Sequence, residues 1–116
     1  MSQRTPKNTR KYRRTTVRIL VDYQAQAGIH CDYATTLGAG GMFLQTELSM
    51  QRGENVKVRF RIPEGEILHE LEARVTWYHE ARNLPNGEVR TPGVGLQFTD
   101  PSACADLARE LEDFAG

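Results

Sequence analysis

Two arginines four residues apart, Arg14 and Arg18, are the side chains in this sequence best suited to recognising a ligand. From position 17 the chain alternates apolar and polar residues as a β-strand does, and an even spacing in an extended chain places both arginines on one face. A guanidinium group pairs bidentately with phosphate oxygens or with O6 and N7 of guanine. A guanine nucleotide with more than one phosphate would use both contacts. The spacing is weak evidence alone, because Arg10 and Arg14 share it.

A glycine-rich stretch, residues 36–44, offers a second candidate ligand contact. We expect Gly38, Gly40 and Gly41 to allow positive φ angles and a close approach of another molecule to the backbone. Such a turn can present peptide N–H groups to an anion or to the edge of a base. The same glycines also suit a simple tight connection between two strands. The stretch therefore becomes informative only together with the arginines.

Alternating hydrophobicity predicts the strands that would position these groups. In the longest strand, Leu71, Ala73, Val75 and Trp77 are expected to face inward. A row of Lys and Arg on the preceding strand and a row of Glu on this one indicate that the two pair antiparallel. The sequence Pro85-Asn86-Gly87 predicts a hairpin turn. The predicted strands cover residues 17–23, 29–35, 42–46, 56–62, 67–78 and 92–98.

A helix is predicted after the last strand. Asp100 is a favourable N-cap, and proline suits the first helical position at Pro101. An apolar stripe at helical spacing would dock the helix on the strands; it consists of Cys104, Leu107, Leu111 and Phe114. The sequence therefore predicts a mainly β fold, a six-stranded antiparallel barrel closed by a C-terminal helix. We expect one such domain over residues 14–116.

The charges divide the chain into two parts. Residues 1–18 carry seven basic residues and no acidic one, whereas the rest of the chain carries eight basic and fifteen acidic residues. Because residues 1–13 contain Pro6 and no apolar periodicity, we expect a flexible basic N-terminal arm. The arm has only Tyr12 for base stacking and the body behind it is acidic, so neither DNA nor RNA is expected as a partner.

Composition and motifs exclude several classes of function. No apolar run approaches the roughly 20 residues of a membrane span, and the N-terminus lacks the apolar core of a signal peptide, so we expect a cytoplasmic protein. Cys31 and Cys104 lie far apart and the histidines lack ligand spacing, so neither a disulfide framework nor a metal site is predicted. No triad, P-loop or nucleophile motif can be assembled, so we expect no enzyme, no catalytic residue and no cofactor.

Taken in order, the motifs resemble those of the PilZ domain family. The resemblance runs from Arg14 to about Phe98, and the ordered combination is more specific than any part. It implies a six-stranded barrel that binds cyclic di-GMP, a bacterial second messenger, and reports it to a protein partner in motility, pilus or envelope regulation. The matching segments are Arg14-x-x-x-Arg18, Leu37-Gly38-Ala39-Gly40-Gly41-Met42-Phe43-Leu44, Ala73-Arg74-Val75-Thr76-Trp77 and Pro92-Gly93-Val94-Gly95-Leu96-Gln97-Phe98.

The resemblance also implies which residues would contact the nucleotide. The family's arginine pair, which contacts guanine and phosphate, falls on Arg14 and Arg18. Its second motif, Asp or Asn, any residue, Ser, two residues and Gly, aligns with residues 36–41. The candidate contacts there are Thr36, Gly38 and Gly41, and Arg10 and Arg13 of the arm are further candidates.

Two of these positions depart from the family pattern. Thr36 stands where the family has Asp or Asn, and Gly38 stands where it has Ser. A carboxylate accepts hydrogen bonds from two donors on guanine, whereas a threonine hydroxyl accepts from one. The two changes would cost roughly 2–4 kcal/mol, or about thirty- to a thousandfold in affinity. Two hypotheses therefore stay open: a cyclic di-GMP receptor, and a PilZ-like adaptor that binds only protein partners.

Overall fold

Six strands form a closed antiparallel barrel in the computed structural model, which describes residues 14–79, 82–83, 85–87 and 89–115. The order around the barrel is β1-β2-β3-β8-β5-β4. A separate two-stranded hairpin, β6 with β7, surrounds the predicted Asn86-Gly87 turn, where Gly87 has a φ of 90°. The strands are β1 (Arg14–Ala25), β2 (Gly28–Gly38), β3 (Gly41–Gln45), β4 (Asn55–Phe60), β5 (His69–His79), β6 (Arg82–Asn83), β7 (Val89–Arg90) and β8 (Gly93–Phe98).

The alternating pattern puts the apolar residues inside the barrel. In β4, Val56, Val58 and Phe60 are buried while Lys57 and Arg59 are exposed. The predicted antiparallel pairing of β4 with β5 is confirmed, since Lys57 lies opposite Glu72 and Arg59 opposite Glu70. The mainly β barrel predicted from hydrophobic periodicity is therefore the observed fold.

One polar network ties three neighbouring strands together inside the barrel. The buried Tyr23 hydroxyl of β1 donates to Asp32 Oδ2 of β2 at 2.6 Å and lies 2.9 Å from Thr46 Oγ1, just after β3. Burial, together with the hydrogen bond to the carboxylate, raises the pKa of Tyr23. The hydroxyl therefore keeps its proton and remains a donor to Asp32.

The terminal helix α1 (Pro101–Ala115) closes the barrel as predicted. Ser102 N donates to Asp100 Oδ1 at 3.0 Å, so Asp100 is the N-cap. Cys104 and Leu107 join the buried core and Leu111 packs against it, while the side chain of Phe114 lies outside the described part of the chain. Glu110 Oε1 lies 2.5 Å from Nε2 of the buried His69 and so joins the helix to the start of β5.

The inward orientation expected for Trp77 is wrong. The pairing of β5 with β8 shifts register between Val75 and Trp77, which inserts Thr76 as an extra residue. A β-bulge of this kind moves the following side chain to the opposite face. Val75 is buried in the core, whereas Trp77 is only partly buried and stacks on Phe43 outside the barrel.

The positive φ angles expected in the 36–44 stretch are also absent. Gly38 ends β2 and Gly41 begins β3, so the turn consists of Ala39 and Gly40. Among the described residues, the glycines with positive φ are Gly28, Gly53 and Gly87. β2 and β3 therefore continue up to the two-residue turn, which needs no left-handed residue.

Candidate functional site

The register of β1 with β2 brings the first arginine position next to the glycine turn. The Cα partner of Arg14 is Gly38, and that of Thr16 is Thr36. Directly opposed residues of an antiparallel pair lie about 4.5–5.5 Å apart, so these two parts of the sequence adjoin in the barrel wall. The side chain of Arg14 lies outside the described part of the chain, as do Arg10 and Arg13.

Arg18 lies at an irregularity in the same pair of strands. The register shifts between Thr16 and Ile19, so Val17 and Arg18 have no Cα partner in β2. The exposed Arg18 side chain places its Cζ 4.1 Å from the ring centroid of Tyr33, a cation–π contact worth about 0.5–1 kcal/mol at an exposed site. The Arg18 side chain is exposed and has no ion pair with any other described residue. Tyr33 therefore supports a guanidinium that no carboxylate of the described part of the chain engages.

Thr36 is already engaged by the neighbouring strand. Phe43 N donates to Thr36 Oγ1 at 3.3 Å, across the pairing of β2 with β3. A hydroxyl has two lone pairs and one hydrogen, so Thr36 retains one acceptor position and one donor. This arrangement limits Thr36 to a single acceptor contact with a guanine edge.

The glycine turn is held by the last strand of the barrel. Gly38 pairs with Gly41, which pairs in turn with Gln97 of β8. Phe98 N donates to Gly40 O at 2.9 Å, and α1 begins three residues after Phe98. The turn is thus a fixed surface close to the start of the helix.

An aromatic cluster on the outer face lies directly beside Thr36. Phe43, the register partner of Thr36, stacks on Trp77 with ring centroids 5.2 Å apart and planes 13° apart. His79 lies against both rings, with its centroid 4.6 Å from that of Trp77 and 6.4 Å from that of Phe43. We call Phe43, Trp77 and His79 the aromatic platform. Flat aromatic faces of this kind stack on nucleobases.

Two glycines of β8 form the base on which this platform rests. A Cβ on Gly93 would lie 2.3 Å from the Phe43 ring, and one on Gly95 would lie 2.2 Å from the Trp77 ring. Any side chain at either position would displace a ring. The platform was not predicted from the sequence because hydrophobic alternation placed Trp77 in the core, although the alternating glycines of 93–95 indicated a close approach of other groups.

The described residues include neither a metal site nor a membrane-spanning helix. They contain no group of three or more His, Cys, Asp or Glu side chains arranged to hold a metal ion. Within the same part of the chain, no helix has the length and apolarity to cross a membrane. The outer face of β1, β2 and β3, with the platform beside it, is the arrangement best suited to binding a ligand.

Solved structures share the barrel. The Bacillus subtilis inhibitor of motility MotI/DgrA matches with a TM-score of 0.71 and 24% identity over 89% of this chain, which spans about half (49%) of that protein. The PilZ domain of Escherichia coli YcgR, solved with c-di-GMP, matches with a TM-score of 0.67 and 16% identity, covering 93% of this chain and 95% of that one. The PilZ domain of CeSA from a cellulose-synthesizing bacterium matches with a TM-score of 0.59 and 20% identity over 86% and 98%.

The sequence comparisons give the family. No curated protein sequence matches the chain significantly. The model of the PilZ domain family, however, matches residues 8–115, a span that includes both arginines, the glycine turn, the whole barrel and the helix. With the barrel, its order of strands and this match in agreement, the chain belongs to the PilZ domain family.

Proposed function

We propose that this protein is a regulatory domain that binds cyclic di-GMP on the outer face of β1, β2 and β3 and reports the nucleotide to a protein partner. The observation that carries the proposal is the register that sets Arg14 opposite Gly38 and Thr16 opposite Thr36. It joins the arginine motif to the glycine turn in one strip of surface. The YcgR PilZ domain, solved with c-di-GMP, supports the choice of ligand.

In this proposal each group at the site has a role set by its chemistry. Arg14 and Arg18 pair with phosphate oxygens and with O6 and N7 of guanine. The second motif contributes Thr36, which accepts one hydrogen bond, and the backbone around Gly38 and Gly41 lets the ligand approach. The aromatic platform offers a stacking surface for a base. Arg10 and Arg13 of the arm are additional phosphate contacts. The protein acts in the cytoplasm and catalyses no reaction.

Calorimetry with cyclic di-GMP tests the proposal directly. We expect the full chain to bind with a Kd of about 1–100 µM, because the Thr36 and Gly38 differences remove part of the family's hydrogen bonding. Arg14→Ala and Arg18→Ala should each weaken binding at least about tenfold, the loss of one charge-assisted pair. The matched control is Arg52→Ala, which changes an exposed arginine near Ala25, at the opposite end of β1 from Arg14, and should leave binding unchanged.

The choice of nucleotide separates recognition of the base from recognition of phosphate. Cyclic di-AMP carries the same phosphates but lacks guanine O6, so it should bind more weakly than cyclic di-GMP. Equal affinity for the two nucleotides would show that the site recognises phosphate and not guanine. Absence of heat with cyclic di-GMP at about 1 mM would reject nucleotide reception by this chain.

The second candidate function is an adaptor that acts by protein contact alone. It is favoured by the geometry of Thr36, whose hydroxyl already accepts from Phe43 N, and by the lack of a side chain at Gly38. The adaptor hypothesis predicts that Arg14→Ala and Arg18→Ala leave the cellular phenotype intact. A phenotype in motility, pilus or envelope regulation that needs both arginines and follows the nucleotide level would exclude it.

A further inference from the structure

A groove opens in the barrel wall where β1 and β4 diverge. The two strands pair only from Asp22 to Gln24 within the described residues. Toward Arg18, the side of β1 that faces β4 has no strand partner in that part of the chain. A groove of about 360 Å³ lies in this gap, with the buried Ile19 and Phe60 among its lining residues. Its volume is at the low end of ligand pockets, about 300–1,000 Å³, so it accommodates a few side chains.

Exposed aliphatic side chains also line the groove. Leu20 of β1 is 52% exposed, and Leu68, just before β5, is 41% exposed. Pro63 adds a third exposed apolar residue to the lining. These side chains continue the apolar surface of Ile19 and Phe60 toward solvent, so the groove has an apolar stripe accessible from outside.

Three guanidinium groups surround this stripe. Arg18, Arg59 and Arg61 all line the groove, and Asp22 is the one carboxylate among its lining residues in the described part of the chain. Arg59 Nη1 lies 3.5 Å from Glu70 Oε2, an exposed pair of little energetic weight. Arg18 and Arg61 have no ion pair with any described residue. Because residues after position 18 carry eight basic and fifteen acidic side chains, a positive groove is unusual on this body.

We propose that this groove binds an extended, acidic segment of a protein partner, with aliphatic side chains at alternate positions. An extended peptide can form main-chain hydrogen bonds with the unpaired side of β1. Its alternate residues point to opposite faces, so aliphatic side chains on the inner face pack toward Ile19 and Phe60 while carboxylates on the outer face meet Arg18 and Arg61, which lie beside Leu20 and Leu68. Charge complementarity therefore selects an acidic partner and the apolar stripe selects alternating aliphatic residues.

The geometry favours a peptide over a membrane or a nucleic acid. The apolar residues line a concave gap between two strands, which accommodates the side chains of a single extended peptide better than the broad surface of a membrane. Nucleic acid would use the arginines but has no chemistry for Leu20 and Leu68, and the lining residues in the described part of the chain include no exposed aromatic side chain for base stacking.

The groove shares Arg18 with the proposed nucleotide site, and this part of the inference rests on the proposed function. A nucleotide that engages the Arg18 guanidinium withdraws it from the groove, so the nucleotide and the acidic segment weaken each other's binding by the same factor. Binding of the segment to the nucleotide-free protein does not depend on this coupling. The docking groove and its coupling to the nucleotide can therefore be tested, and rejected, independently.

The test uses methyl NMR of the full chain with a defined probe, an octapeptide of alternating leucine and glutamate. We expect saturable shifts of the Leu20 and Leu68 methyl groups. The leucine–glutamine peptide of the same length should bind at least about tenfold more weakly, since it lacks the carboxylates. Arg61→Ala should weaken the acidic peptide about fivefold or more, and Arg52→Ala, an exposed arginine on another part of the surface, less than about twofold.

Several outcomes would overturn the proposal. They are the absence of shifts at about 1 mM acidic peptide, equal binding of the glutamine peptide, or shifts centred on the exposed Ile29 instead of Leu20 and Leu68. Shifts of the same methyl groups with phosphatidylglycerol vesicles but not with the peptide would assign the groove to a lipid surface. If the protein binds cyclic di-GMP and the nucleotide does not change the affinity for the peptide, the docking groove is supported and only the coupling is rejected.

Discussion

At the scale of single residues, Thr36 decides how well the proposed site can hold guanine. Its hydroxyl oxygen accepts a hydrogen bond from Phe43 N at 3.3 Å, so one of its two lone pairs is occupied by the neighbouring strand. An aspartate at the same position has more acceptor capacity, so it can keep the bond to Phe43 N and still accept from a ligand. The backbone of Thr36 pairs with β1 on one side and with β3 on the other. A substitution at this position therefore changes only the side chain.

Thr36→Asp is therefore expected to tighten the binding of cyclic di-GMP. A charge-assisted hydrogen bond exceeds a neutral one by about 1 kcal/mol, which corresponds to roughly fivefold to tenfold in Kd. Calorimetry on the variant and the parent measures the difference. Thr35→Asp, at the bulged neighbouring position, is the control and should not tighten binding. Unchanged affinity in Thr36→Asp would show that this side chain does not meet the guanine edge.

At the scale of elements, β8 determines the outer surface as much as it fills the core. Its buried residues Val94 and Leu96 face inward, whereas Gly93 and Gly95 lie under the Phe43 and Trp77 rings. The bulge at Thr76 in β5 is what brings Trp77 over Gly95, and Thr76 Oγ1 donates to Gly95 O at 3.1 Å. One strand with alternating glycine thus supports both the barrel and the aromatic platform.

Gly95→Ala should disrupt the platform without unfolding the barrel. The new Cβ would lie 2.2 Å from Trp77, so the indole must move away from Phe43. Overpacking of this kind costs about 1–3 kcal/mol of the free energy of unfolding. Trp77 is the only tryptophan in the sequence, so its fluorescence spectrum and urea denaturation report on this position. Gln97 is exposed on the same strand, so Gln97→Ala should change neither the fluorescence spectrum nor the free energy of unfolding.

At the scale of the whole molecule, α1 completes a core that six strands alone leave open at one end. Leu107 has no exposed surface, and Cys104 beside it is 6% exposed. The helix follows directly on the strand that holds the glycine turn, through Phe98 N and Gly40 O. Closure of the barrel and rigidity of the proposed site therefore depend on the same segment.

Leu107→Ala should destabilise the protein by about 2–5 kcal/mol, because it opens a cavity between helix and barrel. Glu112→Ala, exposed on the same helix, should change the free energy of unfolding by less than about 0.5 kcal/mol. Chemical denaturation followed by circular dichroism measures both. Equal stability of the two variants would mean that the helix does not contribute to the core.

The sequence by itself determined the barrel, its antiparallel pairing and the closing helix. Alternation in β4 and the stripe of Cys104, Leu107 and Leu111 are local patterns with fixed periods, so they can be read without coordinates. The order of motifs also pointed to the PilZ family, which the family match bears out. The individual nucleotide contacts stay predictions.

Only the tertiary structure decided the position of Trp77, the support under Arg18 and the groove between β1 and β4. The first two follow from register shifts, at Thr76 and between Thr16 and Ile19, and a register shift depends on the partner strand across the sheet. The groove follows from the place where two strands distant in sequence stop pairing. Each is a relation between segments, and a period-two pattern along one segment carries no information about it.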